Sequence, residues 1–330
     1  MTASGKSLLR WLLRFAVSFG LLASVLTLLP LGELGQALLN ADVTDVLIAF
    51  FFMFAMRYAN AFRMSLITSH QGMSLSAWEI FKIGLITVFY GLFLPGTIAG
   101  GPIRWYMLSR KDSKPVEALA SMAFARLNDT TVMVGVGVIF AALATATTRQ
   151  PAVILALAAV FAGLVAVYLA VLNTRVTKLS VAVLRAIGLY RFKRFASAFD
   201  KLVLSMERYH GLSAGLRLSV WGFSLLTHMF GAVSLYFSAL AIGVELPFAD
   251  CLWIRAVIQV LSMMPISISG IGVRDGALVV LLAPFGVTSA EAVAMSFILL
   301  FRLIVAGGIG GLLAATNTHL GRPKDKPAVG

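Results

Sequence analysis

Five arginines and two aspartates interrupt stretches of this chain that are otherwise strongly apolar: Arg104, Arg126, Arg255, Arg274 and Arg302 against Asp129 and Asp275. Arg126 lies about ten residues into its apolar run and Arg302 about twelve into its own. At that depth in a bilayer an uncompensated arginine costs about 2.5–3.5 kcal/mol on insertion scales. Asp129 follows Arg126 by three residues, on the same helix face, so a local ion pair is open to it. Asp275 directly follows Arg274 and is expected to point elsewhere on a helix. Any one of these arginines could be neutralised by an acid or by a carbonyl freed at a helix break. The set as a whole keeps a cationic surplus, and a surplus in a low-dielectric cavity suits a phosphate, which arginine grips with two parallel N–H donors.

Two stretches rich in proline and glycine accompany these charges. "PGTIAGGPIR" runs from Pro95 to Arg104 and "PISISGIGVR" from Pro265 to Arg274, each with proline and arginine nine positions apart. Broken backbone inside a membrane needs partners that lipid does not supply, so such breaks belong beside a cavity. The half-helix that starts after each break presents free N–H groups and a positive dipole end to an anion, and glycines let a ligand approach the backbone. Pro95, Gly96, Gly100, Gly101, Pro265, Gly270 and Gly272 are the expected hinge positions.

Other candidate residues read more plainly. Arg57 and Arg63, in "RYANAFR", are expected to snorkel to headgroups at the inner end of their span. A lone His228 in mid-span and the single Cys251 read as packing residues, and "GGIGG" at Gly307–Gly311 as a helix-packing motif. HExxH, Cys/His clusters, a Walker loop, GxSxG and acidic pairs within the spans are all missing. Neither a metal, a cofactor, a catalytic residue nor an enzymatic reaction is therefore expected.

The elements that position these residues follow from composition. The chain is 59% hydrophobic and 12% charged, with a mean hydropathy of +0.92. That describes an all-α polytopic membrane protein. Runs at about 11–30, 43–68, 116–147, 151–172, 216–242 and 290–315 can each cross, giving about six full spans. Two more, about 79–110 and 250–286, carry the breaks and read as re-entrant hairpins, although the first could instead form two short spans. A net charge of +13 marks loops facing anionic lipid rather than a nucleic-acid partner. Basic residues flank the N-terminus, crowd the 173–217 connection and recur at Arg322, Lys324 and Lys326, which places both termini and that connection on the cytoplasmic side. Within 173–217, Leu184, Ile187, Phe192, Phe195, Phe199 and Leu202 suggest amphipathic helices on the inner leaflet.

The two interrupted segments also look like copies. Each is followed by "EALA" (Glu117–Ala120) or "EAVA" (Glu291–Ala294), then by Arg126-Leu127 or Arg302-Leu303, with offsets of 170, 174 and 176. Three matches in one order, entering from opposite faces, make an inverted-topology repeat over about 43–147 and 218–315, within one domain of residues 1–320 and ahead of a short tail at 321–330.

At "FLPGTIAGGPIRWYML", "ARLNDT", "PISISGIGVRDGALVVLL" and "FILLFRL" the chain resembles the lysylphosphatidylglycerol synthase transmembrane-region family, from the first span to about residue 315. The second motif is similar to that family's P-x-x-x-G-G-x-G-x-R-E, with Ser269 for the first glycine and Asp275 for the glutamate. The first is similar to P-G-x-x-G-G-D-x-x-R, with Ala99 and Gly101 at the first-glycine and aspartate positions. The resemblance implies a stand-alone flippase-like protein of a prokaryotic inner membrane, without the aminoacyl-transferase domain, that moves lipids or lipid-linked precursors between leaflets. An anionic headgroup would then be held by Arg104, Arg126, Arg274 and Arg302, with Asp129 and Asp275 beside them. A non-transporting scaffold for a lipid, glycan or hopanoid enzyme is the alternative, and oligomeric state is left open.

Overall fold

A computed structural model describes residues 36, 39–93, 100–144, 150–173, 193–263 and 272–316. The expected span at 11–30, both proline-bearing breaks (Pro95, Gly96, Pro265 and Gly270 with them) and the tail lie outside the described residues. Among the described residues the fold is all α. Ten α-helices follow in order: α1 Val43–His70, α2 Ala77–Phe93, α3 Gly100–Arg110, α4 Pro115–Leu143, α5 Pro151–Val171, α6 Lys193–Glu207, α7 Ala214–Leu240, α8 Phe248–Met263, α9 Val273–Leu282 and α10 Ser289–Thr316. Five of them, α1, α4, α5, α7 and α10, are long and apolar enough to cross a membrane. The remaining α2, α3, α6, α8 and α9 hold 17, 11, 15, 16 and 10 residues. At 1.5 Å per residue each falls short of the roughly 30 Å hydrocarbon core.

Helix ends are set by local chemistry. Asp42 caps α1 by accepting from the backbone N–H of Thr44 at 2.7 Å and Asp45 at 3.1 Å. Ser76 and Glu79 exchange hydrogen bonds to open α2, and Thr288 and Glu291 do the same for α10. Pro115 and Pro151 occupy the first turns of α4 and α5, where a missing N–H costs nothing.

The packing repeats itself between two halves. Helices α1 and α7 form one extensive pair and run antiparallel: Asp42 N–H donates to the Ala241 carbonyl at one end, and Phe62 meets Phe223 near the other. The first short helix of each half lies on the last helix of the other, α2 on α10 and α8 on α4. Even the closest approaches correspond. A Cβ at Gly137 of α4 would lie 2.5 Å from the Ala256 Cβ of α8, and one at Gly310 of α10 would lie 2.0 Å from the Leu85 carbonyl oxygen of α2. "GGIGG" is thus a close-contact face, with Phe89 and Leu92 against Gly307 and Gly311.

The ends of the first hairpin meet. Asp112 accepts from the backbone N–H and hydroxyl of Ser74, while Lys111 binds Glu79 at 2.7 Å. These contacts sit where α1 ends. The second hairpin follows the end of α7, beside the start of α1, so the two hairpins join the α1–α7 pair at opposite ends.

Part of the basic connection is fastened to the bundle. Tyr209 stacks on Phe124 at 4.1 Å, and its hydroxyl lies 3.0 Å from that of Ser121. Gln71 donates to the Ser205 carbonyl at 2.6 Å and His210 contacts the Val171 carbonyl at 2.7 Å. Leu202 and Met206 of α6 pack into the same cluster. Leu184, Ile187 and Phe192 lie outside the described residues.

Candidate anion site

The polar residues of the bundle fall into three groups. The first joins α1, α4 and α7. Arg63 forms an ion pair with Asp129, donates to the Ser224 hydroxyl at 2.8 Å and donates to Asn60 Oδ1 at 2.9 Å. His228 Nε2 faces two Asp129 oxygens, the carbonyl at 3.1 Å and Oδ1 at 3.2 Å, and donates its proton there. Asn128 donates to Ser224 at 2.7 Å. Two expectations are corrected here. Arg63 does not snorkel; it is 2% exposed, because a carboxylate and two neutral oxygens across the bundle neutralise it better than distant headgroups. Nor does Asp129 pair with Arg126. The Arg126 side chain is exposed, while Asp129 faces the α1–α7 crossing.

The second group joins α9 to α10. Arg274 lies 3.1 Å from Asp275 Oδ1 and 3.2 Å from the Ser296 hydroxyl. Ser296 in turn donates to Asp275, whose other oxygen accepts from Gly272 N–H at 2.7 Å and caps α9. Asp275 was expected to point away from Arg274. The long guanidinium stem closes the angle between neighbouring positions, because Ser296 gathers both groups on one side. Gly272 sits at φ +82°, a conformation that costs glycine little and other residues more.

The third group carries charge without an acid. Arg302 donates to the Ser234 carbonyl at 2.9 Å and to the Ser238 hydroxyl. Arg255 donates to the His228 carbonyl at 3.2 Å and contacts Met56 Sδ at 3.2 Å, in space left by Gly231. Arg57 and Arg104 stand on a cavity of about 150 Å³ between α1, α2 and α3, with Asn60, Gly84 and Thr87 in its lining. The Nε atoms of both arginines are buried without a hydrogen-bond partner among the described residues. Their charges act on each other, and Arg104 also feels Arg63, Arg126 and Asp129. The α3 N-terminus adjoins the cavity: a Cβ at Gly100 would sit 3.3 Å from Thr87 Cγ2. The positive end of the helix dipole adds potential at the same place.

Of the site residues expected from the sequence, only Arg104 lines this cavity; Arg126, Arg274 and Arg302 do not. Arg57 is the residue that sequence reading missed, having been expected at the headgroups. Its signal was present: Arg57, Asn60 and Ala61, at i, i+3 and i+4, give one helix face a polar centre with a small neighbour. Arg255 gave no comparable signal, since the space it occupies is made by a glycine on another helix.

Comparison with known proteins agrees with this architecture. A UPF0104 membrane protein of Methanothermobacter thermautotrophicus is 26% identical over 247 residues, covering 69% of this chain and 70% of its own length. No solved structure matches. The family model described as the lysylphosphatidylglycerol synthase TM region matches residues 11–309, so the chain belongs to this family of multi-pass membrane proteins.

Proposed function

We propose that the protein is a lipid flippase or transporter that moves an anionic, phosphate-bearing lipid or lipid-linked precursor between the leaflets of a prokaryotic inner membrane. The observation that carries this reading is the cavity holding Arg57 and Arg104 with no acid among the described residues of its lining. A buried cation without a counter-charge is costly to maintain, and a transiently bound phosphate supplies the missing charge. The termini and the 173–217 connection face the cytoplasm by their basic content. On this reading the hairpins are re-entrant from opposite faces, the headgroup enters beside α2 and α3, and rocking of the hairpins about Gly100, Gly101 and Gly272 exposes it to the other leaflet. Asp275 holds Arg274 in place and caps α9, a positioning role rather than one in binding.

The test is transfer in liposomes. Protein reconstituted with a fluorescent anionic phospholipid, and quenched from outside with dithionite, should expose the inner-leaflet pool faster than protein-free vesicles. Arg104→Gln should slow that transfer about tenfold, the loss of one charge-assisted contact of about 1.4 kcal/mol. Wild-type vesicles no faster than empty ones would remove the reading.

A further inference from the structure

We infer that the Arg57–Arg104 cavity is built for a dianionic phosphate, the terminal phosphomonoester of a lipid, rather than for the single charge of a phosphodiester headgroup. The inference rests on the transporter reading above and names its substrate class.

Three observations lead there. Among the described residues the lining contains two guanidiniums and no carboxylate, and Asp129, the acid that acts on Arg104, is committed to Arg63 and His228. A ligand of charge −1 would leave one of these half-buried arginines uncompensated, whereas one of charge −2 balances the pair. Second, the cavity presents donors. Asn60 Oδ1 is occupied by Arg63 Nη2 at 2.9 Å, which leaves its amide N–H groups for the cavity. Thr87 spends its hydroxyl proton on the Ile83 carbonyl at 2.7 Å. Three donor groups, Arg57, Arg104 and Asn60, match the three terminal oxygens of a phosphomonoester; a diester has two. Third, a cavity of about 150 Å³ has room for a phosphate group beside the two guanidiniums.

The ligand's own titration gives a signature. A phosphomonoester loses its second proton near pH 6, so it is dianionic at pH 8 and monoanionic at pH 5. The charged groups around the cavity are Arg57 and Arg63 of α1, Arg104 of α3, Arg126 and Asp129 of α4 and Arg302 of α10, with His228 of α7 behind Asp129. Any titration among them moves both affinities in the same direction, whereas only the monoester changes its own charge between pH 8 and pH 5. A fall of the ratio at pH 5 therefore reports chiefly the phosphate proton.

The full chain in nonionic detergent is titrated calorimetrically with dihexanoyl phosphatidic acid, dihexanoyl phosphatidylglycerol and inorganic phosphate. Phosphatidic acid should bind at least tenfold tighter than phosphatidylglycerol at pH 8, and the ratio should fall below threefold at pH 5. Inorganic phosphate should bind at least tenfold more weakly than phosphatidic acid; equal affinity would assign the cavity to a free ion and overturn the lipid assignment. Arg104→Gln and Gly101→Asp should each reduce the pH 8 ratio below threefold. The added carboxylate stands three residues before Arg104 on the same helix face, and a Cβ at Gly101 meets nothing within 4 Å, so this variant keeps the test open should Arg104→Gln fail to fold. Equal binding of the two lipids at pH 8, or a wild-type ratio in the monodisperse variants, would overturn the proposal. Selective binding without transfer in liposomes would instead sink the transporter reading and leave this site standing, and equally fast transfer of both lipids would do the reverse.

Discussion

Replacing Gly310 with alanine should loosen the seam that supports the cavity wall. A Cβ at Gly310 would lie 2.0 Å from the Leu85 carbonyl oxygen and 2.4 Å from its carbonyl carbon, where ordinary contact begins at 3.4 Å. Both atoms are backbone, so no rotamer change relieves the clash, and α2 and α10 must part by about 1.4 Å. A gap of that size forfeits at least half of the dispersion energy of the facing atoms. Overpacked interiors lose about 1–3 kcal/mol, and about 2 kcal/mol is expected here. Leu85 also lines the cavity, so its displacement should weaken anion binding as well. The internal control is two residues away: a Cβ at Gly308 meets nothing within 4 Å. Gly137→Ala, at 2.5 Å from the Ala256 Cβ, should fall between them. Thermal unfolding in one detergent should rank the midpoints Gly308→Ala, Gly137→Ala, Gly310→Ala from highest to lowest, with the last about 4–8 °C below wild type at ~2–4 °C per kcal/mol. Coincident midpoints for Gly308→Ala and Gly310→Ala would refute the close-contact reading.

Asp129→Asn should destabilise the protein by about 3–5 kcal/mol, since it strands Arg63 in the α1–α4–α7 crossing, and Arg63→Met in the same chain should restore much of the loss in a double-mutant cycle. Gly231→Ala places a Cβ 1.7 Å from Arg255 Nη1, so the guanidinium must leave its contact with the His228 carbonyl at a cost of about 1.5–3 kcal/mol, which chemical unfolding of the variant would measure. At the start of α1 the N–H groups of Asp45 and Thr44 hold the Asp42 carboxyl below its ordinary range. Its cap is therefore fully present above about pH 4 and lost as pH falls through the lowered value, so the protection factors of the first-turn amides of α1, corrected for intrinsic exchange, should drop on acidification below pH 4 in wild type and stay flat in Asp42→Ala.

Much of the scaffold was legible from apolar run length alone. The runs at about 43–68, 116–147, 151–172, 216–242 and 290–315 correspond to α1, α4, α5, α7 and α10 within a few residues, because a helix in lipid has to satisfy its own backbone over the full hydrocarbon thickness. Each interrupted run corresponds to two short helices, α2 and α3 or α8 and α9, on either side of its proline-bearing stretch, which lies outside the described residues. Side-chain partners were not. Arg63 and Asp129 stand 66 positions apart, and nothing in either neighbourhood announces the other. Local spacing instead offered Arg126, which was wrong because i+3 adjacency says which face two residues share and not what that face meets. Arg255 depends in the same way on an absent side chain at Gly231.

The two motif arginines occupy corresponding positions in their halves and differ in state, and that difference locates the free charge. Arg274 has Asp275 and Ser296 as partners. Arg104 has no acid on its own helix: glycine stands at 101, three residues earlier, and the next residue is Trp105. Arg302 and Arg126 diverge likewise, the first bonded to serine oxygens of α7 and the second exposed. Closing the Arg274–Asp275 pair, while Arg104 has no acid partner among the described residues, gives the two motif positions a different pull on an anion. In the transport cycle proposed above, a phosphate-bearing headgroup would be held more tightly at Arg104 than at Arg274, whose charge is already balanced.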